Sequence, residues 1–221
     1  MDEIFSMMED TKRFIYDKNY IEELYIKYLA TEEVQCAHLA ELKSEIQGKE
    51  ILVIAPGRSS ISEKDKVIKC ANRETVVVIS INFEYTECET DYIFLSNLRR
   101  YRELDSNKRR KCIVTSNIPS SDVYLQTQYK ELLNTYEAVE DNAGMMLIKY
   151  LIKLGAEKIL IAGLDGYSID PTQNFADNKM NFYAQKATFE AMNRGLNAAV
   201  ADFSKEIDIE YVTTPKYITV L

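Results

Sequence analysis

Histidine is almost absent from this chain, since His38 is the only one among 221 residues. It lies in a charged stretch that we predict to be helical, where a lone histidine is typical of a surface residue and not of a catalyst. Cysteine is also sparse: Cys36, Cys70, Cys88 and Cys112 are scattered, and no CxxC pair occurs. We therefore expect reduced, structural thiols and neither a disulfide framework, a metal nor another cofactor.

Long apolar runs and an excess of positive charge are missing as well. No run is long enough to span a bilayer, and the first thirty residues are charged throughout, unlike a signal peptide. The formal net charge of -8 argues against a nonspecific nucleic-acid binder or a membrane-surface binder. We expect a cytoplasmic protein, and 221 residues that are 46% hydrophobic are enough for one buried core.

The chain also lacks the two best-known glycine-rich phosphate motifs. There is neither a GxGxxG fingerprint nor the lysine of a P-loop, so the sequence supports neither an NAD site of the usual kind nor a Walker-type NTPase. Instead, the predicted strand 49–56 runs directly into Gly57, Arg58, Ser59 and Ser60. Backbone N–H groups, two hydroxyls and a guanidinium together predict a phosphate cradle. The alternative is that this loop is only a β-to-α turn with its helix cap.

The stretch 141–167 predicts a helix followed by a buried strand. Asp141 or Asn142 can cap the helix, Gly155 suits the left-handed residue that ends it, and its apolar residues leave only a narrow polar edge. The continuous apolar run 158–162 is typical of a parallel strand buried on both faces. It ends in Gly163-Leu164-Asp165-Gly166-Tyr167. Because ligands bind beyond the carboxyl ends of parallel strands, Asp165 and Tyr167 are candidate site residues.

Further apolar runs at 74–81, 92–95, 111–114 and 207–212 predict the other strands of an α/β fold. We predict a Rossmann-like, mostly parallel sheet with helices on both faces. Polar residues follow three of these strands and should lie along one sheet edge, where amides suit a nucleobase, ribose or sugar: Asn82, Ser96-Asn97 and Ser116-Asn117. A basic run follows as Arg99, Arg100 and Arg102, which either pairs with a phosphate or forms a solvated helix face.

The predicted domain organisation has two parts. Residues 1–47 contain neither Gly nor Pro and carry an apolar stripe at helical spacing (Ile21, Leu24, Tyr25, Tyr28, Leu29), which predicts an N-terminal helical segment. Residues 48–221 form the Rossmann-like domain, with a long polar loop at 168–181 and an amphipathic helix at 182–203. The helical segment either flanks the domain, extends to a second subunit in a homodimer, or joins an upstream domain.

The ordered set PGRSS, INFEY, LSN, TSNIPS and DNAGMMLIKYLIKLGAEKILIAGLDGY, followed by a terminal strand with Thr-Pro, resembles the small single-domain bacterial sialyltransferases that use CMP-sialic acid. Together with the lead-in YDKNYIEELYIKYLA, it is more closely similar to a module at the C-terminus of aldolase-like proteins of the HMG-CoA-lyase superfamily from bacterial surface-polysaccharide gene clusters. The resemblance covers nearly the whole chain. It implies a nucleotide or nucleotide-sugar ligand and an upstream aldolase domain, so that residue 1 is expected to be a boundary within a longer protein.

The resemblance also assigns roles to residues. It implies that Gly57, Arg58, Ser59 and Asn82 contact the nucleotide, that the segment from Asn142 to Gly144 and the segment from Gly163 to Tyr167 belong to the site, and that Tyr167 helps the departing phosphate. The sialyltransferases use a histidine as general base after this last segment, and the present chain has none there. Asp165, Asp170 or Asp177 are the candidates to replace it.

Three functions remain open from the sequence. The first is a nucleotide or nucleotide-sugar binding module that accompanies an aldolase. The second is a working glycosyltransferase on a nucleotide-activated sugar, with Tyr167 and Asp165 as catalytic residues. The third is a structural or oligomerisation domain. The first two require the polar strand ends to converge on one cleft.

Overall fold

The computed structural model describes residues 38–118, 120 and 122–219. Its centre is a seven-stranded sheet in which every strand pair is parallel. The strands are β1 (Glu50–Ile54), β2 (Val76–Ile81), β3 (Tyr92–Leu95), β4 (Cys112–Thr115), β5 (Leu125–Thr127), β6 (Lys158–Ala162) and β7 (Asp208–Tyr211). The six predicted strands are all present. The fold is the α/β, Rossmann-like arrangement that the sequence predicts.

The helices among the described residues connect these strands. They are α1 (Leu39–Ile46), α2 (Ser59–Ser62), α3 (Lys64–Ala71), α4 (Leu98–Glu103), α5 (Ser106–Arg109), α6 (Tyr129–Leu132), α7 (Ala143–Leu154) and α8 (Lys186–Phe203). Single turns of 3-10 helix occur at Glu137–Val139, Pro171–Gln173 and Asn178–Met180. The loop predicted at 168–181 therefore carries two short turns, and the predicted helix 182–203 begins four residues later, at Lys186.

Apolar side chains cover both faces of the sheet. On one face, Ile51, Val53 and Ile161 belong to a buried cluster with α7 and α8. On the other face, Leu52 and Ile54 lie in a second buried cluster that includes residues of α3. Continuous apolar runs are needed because successive strand residues point to opposite faces, and both faces are buried.

Helix α7 begins and ends as its sequence predicts. Oδ1 of Asn142 accepts hydrogen bonds from the N–H groups of Gly144 and Met145, at 3.0 and 3.3 Å. The helix ends at Gly155, whose φ of +83° lies in the left-handed region that glycine adopts without steric cost. Of the two predicted caps, Asn142 is the one used.

The strand order β5-β4-β3-β2-β1-β6-β7 places the topological switch between β1 and β6. The chain first builds outward from β1 to β5, then returns to the other side of β1 to form β6 and β7. Ile54 is paired in register with Ala162, so β1 and β6 end at the same level. The loops that follow them diverge, and such a point is where open α/β sheets form a ligand crevice.

Little of the predicted N-terminal helical segment falls within the described residues. In α1, Leu42 and Ile46 are fully buried in the same core as α7, while residues 1–37, with the predicted apolar stripe and Cys36, lie outside the described part. His38 is partly exposed. Nδ1 of its ring forms a hydrogen bond with Oε2 of Glu41 at 2.7 Å, and the ring stacks on that of Tyr124. Within the described part of the chain, no helix has both the length and the apolar character that a membrane span requires.

Candidate functional site

A cleft of about 650 Å³ lies at the carboxyl ends of β3, β2, β1 and β6. Its floor is the strand ends, and the first turn of α7 forms one wall. A second wall comes from the segment 174–183 and from α8, which contribute mainly apolar and aromatic side chains. These are Phe175, Met180, Phe182, Tyr183, Met192 and Leu196.

Most of the predicted site residues meet in this cleft. Those that line it are Gly57, Asn82, Asn97, Asn142, Gly144, Gly163, Asp165 and Tyr167. Those that do not line it are Arg58, Ser59, Ser60, Ser116 and Asn117. Each member of the second group forms hydrogen bonds within the protein.

The two serines of the predicted phosphate cradle are buried and bonded internally. Oγ of Ser59 lies 2.8 Å from Oγ1 of Thr213, and Oγ of Ser60 donates to the carbonyl of Gly57 at 2.7 Å. The N–H of Ser59 donates to Oδ2 of Asp165 at 2.8 Å. Both side chains are fully shielded from solvent. The alternative interpretation, a β-to-α turn that closes on itself, therefore describes these serines.

Gly57 and Gly163 allow the loops after β1 and β6 to touch. The N–H of Gly57 donates to the carbonyl of Gly163 at 2.9 Å. A Cβ on Gly57 would overlap that carbonyl oxygen, and a Cβ on Gly163 would overlap the carbonyl oxygen of Ala55. Gly163 also has a φ of +74°. Both glycines are thus required by the close approach of two backbones at the floor of the cleft.

The amides predicted to form a row along the sheet edge mostly join neighbouring strand ends. Oδ1 of Asn82 accepts from the N–H of Ser96 at 3.2 Å, and Nδ2 of Asn117 donates to the carbonyl of Ser96 at 3.1 Å. Oγ of Ser116 accepts from the N–H of Tyr129. Asn117 and Ser116 therefore support the β4 end of the sheet, outside the cleft.

Asn82 differs from the other amides in its backbone. Its φ of +59° makes it the only non-glycine residue with a positive φ in the described part of the chain. Asparagine tolerates this left-handed conformation better than most residues. Because only its Oδ1 is bonded among the described residues, the Nδ2 donor is left for a ligand in the cleft that Asn82 lines.

Asp165 is the buried carboxylate of the site, with 2% of its surface exposed. Oδ2 accepts from Ser59, whereas Oδ1 is buried and accepts no hydrogen bond from the described residues. Burial raises the pKa of this carboxyl above 3.8, and the hydrogen bonds from Ser59 oppose that rise. An unpaired buried acceptor at the edge of a cleft is a group that a ligand hydroxyl or amine can satisfy.

Hydrogen bonds hold Tyr167 at its main chain and at its phenol oxygen. The N–H of Tyr167 donates to Oδ1 of Asn193 at 2.7 Å, and Nδ2 of Asn193 donates back to the Tyr167 carbonyl at 2.8 Å. At the other end, Nδ2 of Asn142 donates to the phenol oxygen at 3.2 Å. The ring packs against Phe182 and Phe189. Burial, with a smaller contribution from the negative charge of Asp141, raises the pKa of Tyr167 to about 12, so the phenol is a proton donor at neutral pH.

Two residues of the basic run after β3 face the cleft. Arg99 and Arg100 line it, whereas Arg102 is exposed and does not. Arg100 is 7% exposed; its Nη1 pairs with Glu103 at 2.7 Å and its Nη2 donates to the carbonyl of Lys179 at 3.2 Å. Of the two interpretations of this run, a solvated helix face applies only to Arg102.

Three groups of site residues were not predicted. Asn193 supports the backbone of Tyr167, Thr213 supports the β6 loop through a hydrogen bond from the N–H of Gly163 at 2.9 Å, and the aromatic wall comes from the polar-looking segment 174–183. No local pattern separates Asn193 from other polar residues of an amphipathic helix. Phe175, Phe182 and Tyr183 were the available signal, because three aromatic residues in and directly after the predicted polar loop 168–181 need a contact surface.

The sequence predicts no metal site. Among residues 38–118, 120 and 122–219, no group of three or more His, Cys, Asp or Glu side chains is placed to hold a metal ion. Asp170 and Asp177 cap the two 3-10 turns, where their carboxylates accept from the N–H groups of Thr172 and Lys179. Neither of them lines the cleft.

The geometry of the cleft is the evidence on function. The chain matches no protein-family model, and no curated protein is similar enough to it to show a relationship.

Proposed function

We propose that the cleft binds a nucleotide or a nucleotide sugar. The observation that carries this proposal is the combination of groups that line one cleft at the switch point: amides at Asn82 and Asn97, a guanidinium at Arg99 and the aromatic wall. Amides present donors and acceptors to a base or a sugar, and a guanidinium binds phosphate. The three kinds of group match the three parts of a nucleotide.

The aromatic wall supplies the surface that a nucleobase needs. The side chain of Tyr183 is 71% exposed, although it lies beside the packed rings of Phe175 and Phe182. An exposed tyrosine at the mouth of a cleft offers a face on which a base can stack, an interaction worth about 1–3 kcal/mol. This large exposed ring therefore favours a planar ligand.

The dimensions of the cleft fit the same class of ligand. The cleft crosses four strand ends, so it spans three inter-strand spacings of about 4.8 Å, or roughly 14 Å. Its volume of about 650 Å³ is that of a small-molecule site. A nucleoside monophosphate or a nucleotide sugar fills such a space, whereas inorganic phosphate alone does not.

A ligand screen tests the proposal directly. Melting temperatures are measured with CMP, UMP, AMP, GMP and nucleotide sugars; binding to the folded state alone raises the melting temperature by mass action. Asn82→Ala should reduce the shift, and Asn117→Ala is the matched control because Asn117 joins strand ends outside the cleft. If none of these ligands raises the melting temperature of the wild type, the proposal fails.

A second candidate function, glycosyl transfer, is favoured by the state of Tyr167. In that reaction an acceptor hydroxyl attacks the anomeric carbon of the sugar, the bond from that carbon to the phosphate oxygen breaks, and the hydroxyl proton passes to a base. A protonated phenol fixed by Asn142 and Asn193 can donate to the leaving phosphate. Asp165 is the one predicted base that lines the cleft.

A turnover assay distinguishes glycosyl transfer from simple nucleotide binding. Hydrolysis of a nucleotide sugar by the wild type that falls on Tyr167→Phe, with nucleotide affinity retained, supports transfer. Binding without turnover supports the binding module. The association with an aldolase is proposed from the sequence resemblance, and co-purification with an aldolase domain is its test.

A further inference from the structure

The loop after β1 is poorly suited to an anion. Its N–H groups are used: Gly57 donates to Gly163, Ser59 donates to Asp165, and Ser60 donates to Gly57. A carboxylate is also next to it, because a Cβ on Gly57 would lie 2.9 Å from Oδ2 of Asp165. A phosphate placed here finds the N–H groups of Gly57, Ser59 and Ser60 already bonded and meets a like charge in a buried setting, where repulsion is strong.

The arginine of that loop, Arg58, contacts another segment of the chain and not the cleft. Arg58 does not line the cleft, and its Nη2 donates to Oδ1 of Asn178 at 3.4 Å. Asn178 belongs to the second 3-10 turn, on the segment that forms the aromatic wall. Arg58 therefore ties this segment to the sheet edge.

Of the two arginines that line the cleft, Arg99 is the one whose donors form no hydrogen bond with the described residues. Its closest ion-pair contact places Nε 3.9 Å from Oε1 of Glu103, which is too long for a hydrogen bond. Glu103 instead bonds to Arg100 at 2.7 Å, and Arg100 uses its other terminal nitrogen on the carbonyl of Lys179. Nε of Arg99 is buried and has no hydrogen-bond partner among the described residues.

We propose that Arg99 is the phosphate-binding residue of the cleft, so that a bound nucleotide has its phosphate at the β3 end and hydroxyl groups towards Asp165. Oδ1 of Asp165 is an unpaired acceptor and suits ribose or sugar hydroxyls, which donate hydrogen bonds. The orientation rests on the proposed nucleotide function. The anion subsite at Arg99 stands on the contacts alone and is tested separately.

The experiment uses pyrophosphate, CMP and cytidine with three proteins: wild type, Arg99→Gln and Arg58→Gln. Pyrophosphate should raise the melting temperature of the wild type and of Arg58→Gln, but not that of Arg99→Gln. Calorimetry should show CMP binding roughly 10- to 100-fold more weakly to Arg99→Gln than to wild type, because one charge-assisted contact is lost. Cytidine, which has no phosphate, should bind wild type and Arg99→Gln with equal affinity.

Arg99→Gln should fold as the wild type does, because the one polar contact of the Arg99 side chain with the described residues is the long one to Glu103. Far-UV circular dichroism and the melting temperature without ligand should therefore match wild type. If pyrophosphate stabilises the wild type but no nucleotide binds, the nucleotide function fails and the anion subsite survives. If pyrophosphate does not stabilise the wild type, or if Arg58→Gln and not Arg99→Gln abolishes its effect, the assignment of Arg99 is overturned. Equal losses of CMP and cytidine affinity in Arg99→Gln overturn it as well.

Discussion

The N–H of Ser59 donates a hydrogen bond to Oδ2 of Asp165 at 2.8 Å, across 106 positions of the chain. This bond joins the loop after β1 to the loop after β6 at the switch point of the sheet. It places a carboxyl group where the sequence alone predicted an anion site. Ser59 is fully buried, and burial makes Asp165 a weaker acid than an exposed aspartate, whereas the bond from Ser59 opposes that effect.

The stability of the protein should depend on pH through Asp165. Because burial raises its pKa above 3.8, despite the opposing bonds from Ser59, the folded state holds the proton more tightly than the unfolded state. Its contribution to stability is therefore full below pH 3.8 and is lost as the pH rises through the folded pKa. Asp165→Asn cannot ionise, so its free energy of unfolding should improve relative to wild type as the pH rises from 3.8 through the folded pKa of Asp165. Urea unfolding across this range measures the difference; a difference that is constant with pH contradicts the prediction.

Thr213→Val should be destabilising although the two side chains have the same shape. The variant removes the oxygen that accepts from the N–H of Gly163 and that lies 2.8 Å from Oγ of Ser59. A buried donor without an acceptor costs about 1–3 kcal/mol. Thr214→Val is the matched control: its side chain is exposed, and its change should stay within about 0.5 kcal/mol. Equal effects of the two substitutions in urea unfolding would refute the role of Thr213.

Gly163→Ala should be much more harmful than Gly48→Ala. Both glycines have a positive φ, +74° and +68°, so each alanine adds the same backbone strain of about 1–2 kcal/mol. At Gly48 nothing lies within 4 Å of the added Cβ, whereas at Gly163 it meets the carbonyl of Ala55 and lies 2.8 Å from Cβ of Ser60. The overpacking adds about 1–3 kcal/mol at Gly163 only. Thermal unfolding of the pair measures that difference directly, and similar melting temperatures would mean that the two loops can separate.

Asn193→Ala should lower both stability and ligand affinity. It removes the two hydrogen bonds that hold the main chain of Tyr167, at a cost of about 1–3 kcal/mol. Tyr167 is then free to shift within the cleft, so nucleotide binding should weaken as well. Asn197→Ala, on the same helix, loses only a bond from the exposed Thr219 and should leave binding unchanged. Calorimetry with CMP compares them; unchanged CMP affinity in Asn193→Ala would show that Tyr167 does not depend on Asn193.

The sequence predicted β1, β2, β3, β4 and β6 well because these strands are buried on both faces, and β7, at the edge of the sheet, is less buried. Runs such as 158–162 are apolar without alternation, and only a parallel sheet covered on both sides requires that pattern. The exception is β5, which was not predicted: it has three residues, with Gln126 only half-buried between buried Leu125 and Thr127, so it is too short to show a period. The ends of α7 were predictable because Asn142 and Gly155 act locally, through bonds to residues within one turn.

The role of a polar residue at a strand end could not be predicted in this way. Asn82 follows β2 and Asn117 follows β4, both after apolar strands of the same sheet, yet Asn82 lines the cleft and Asn117 supports β4. The sequence by itself determined the strands, the main helices and the edge of the sheet at which polar residues gather, since these depend on burial patterns and caps read over a few neighbouring positions. Only the tertiary structure decided that Asp165 contacts Ser59, because that contact joins residues distant in the chain and depends on how two loops pack against each other. It also decided that Nε of Arg99 has no hydrogen-bond partner among the described residues, since Glu103 pairs with Arg100 instead.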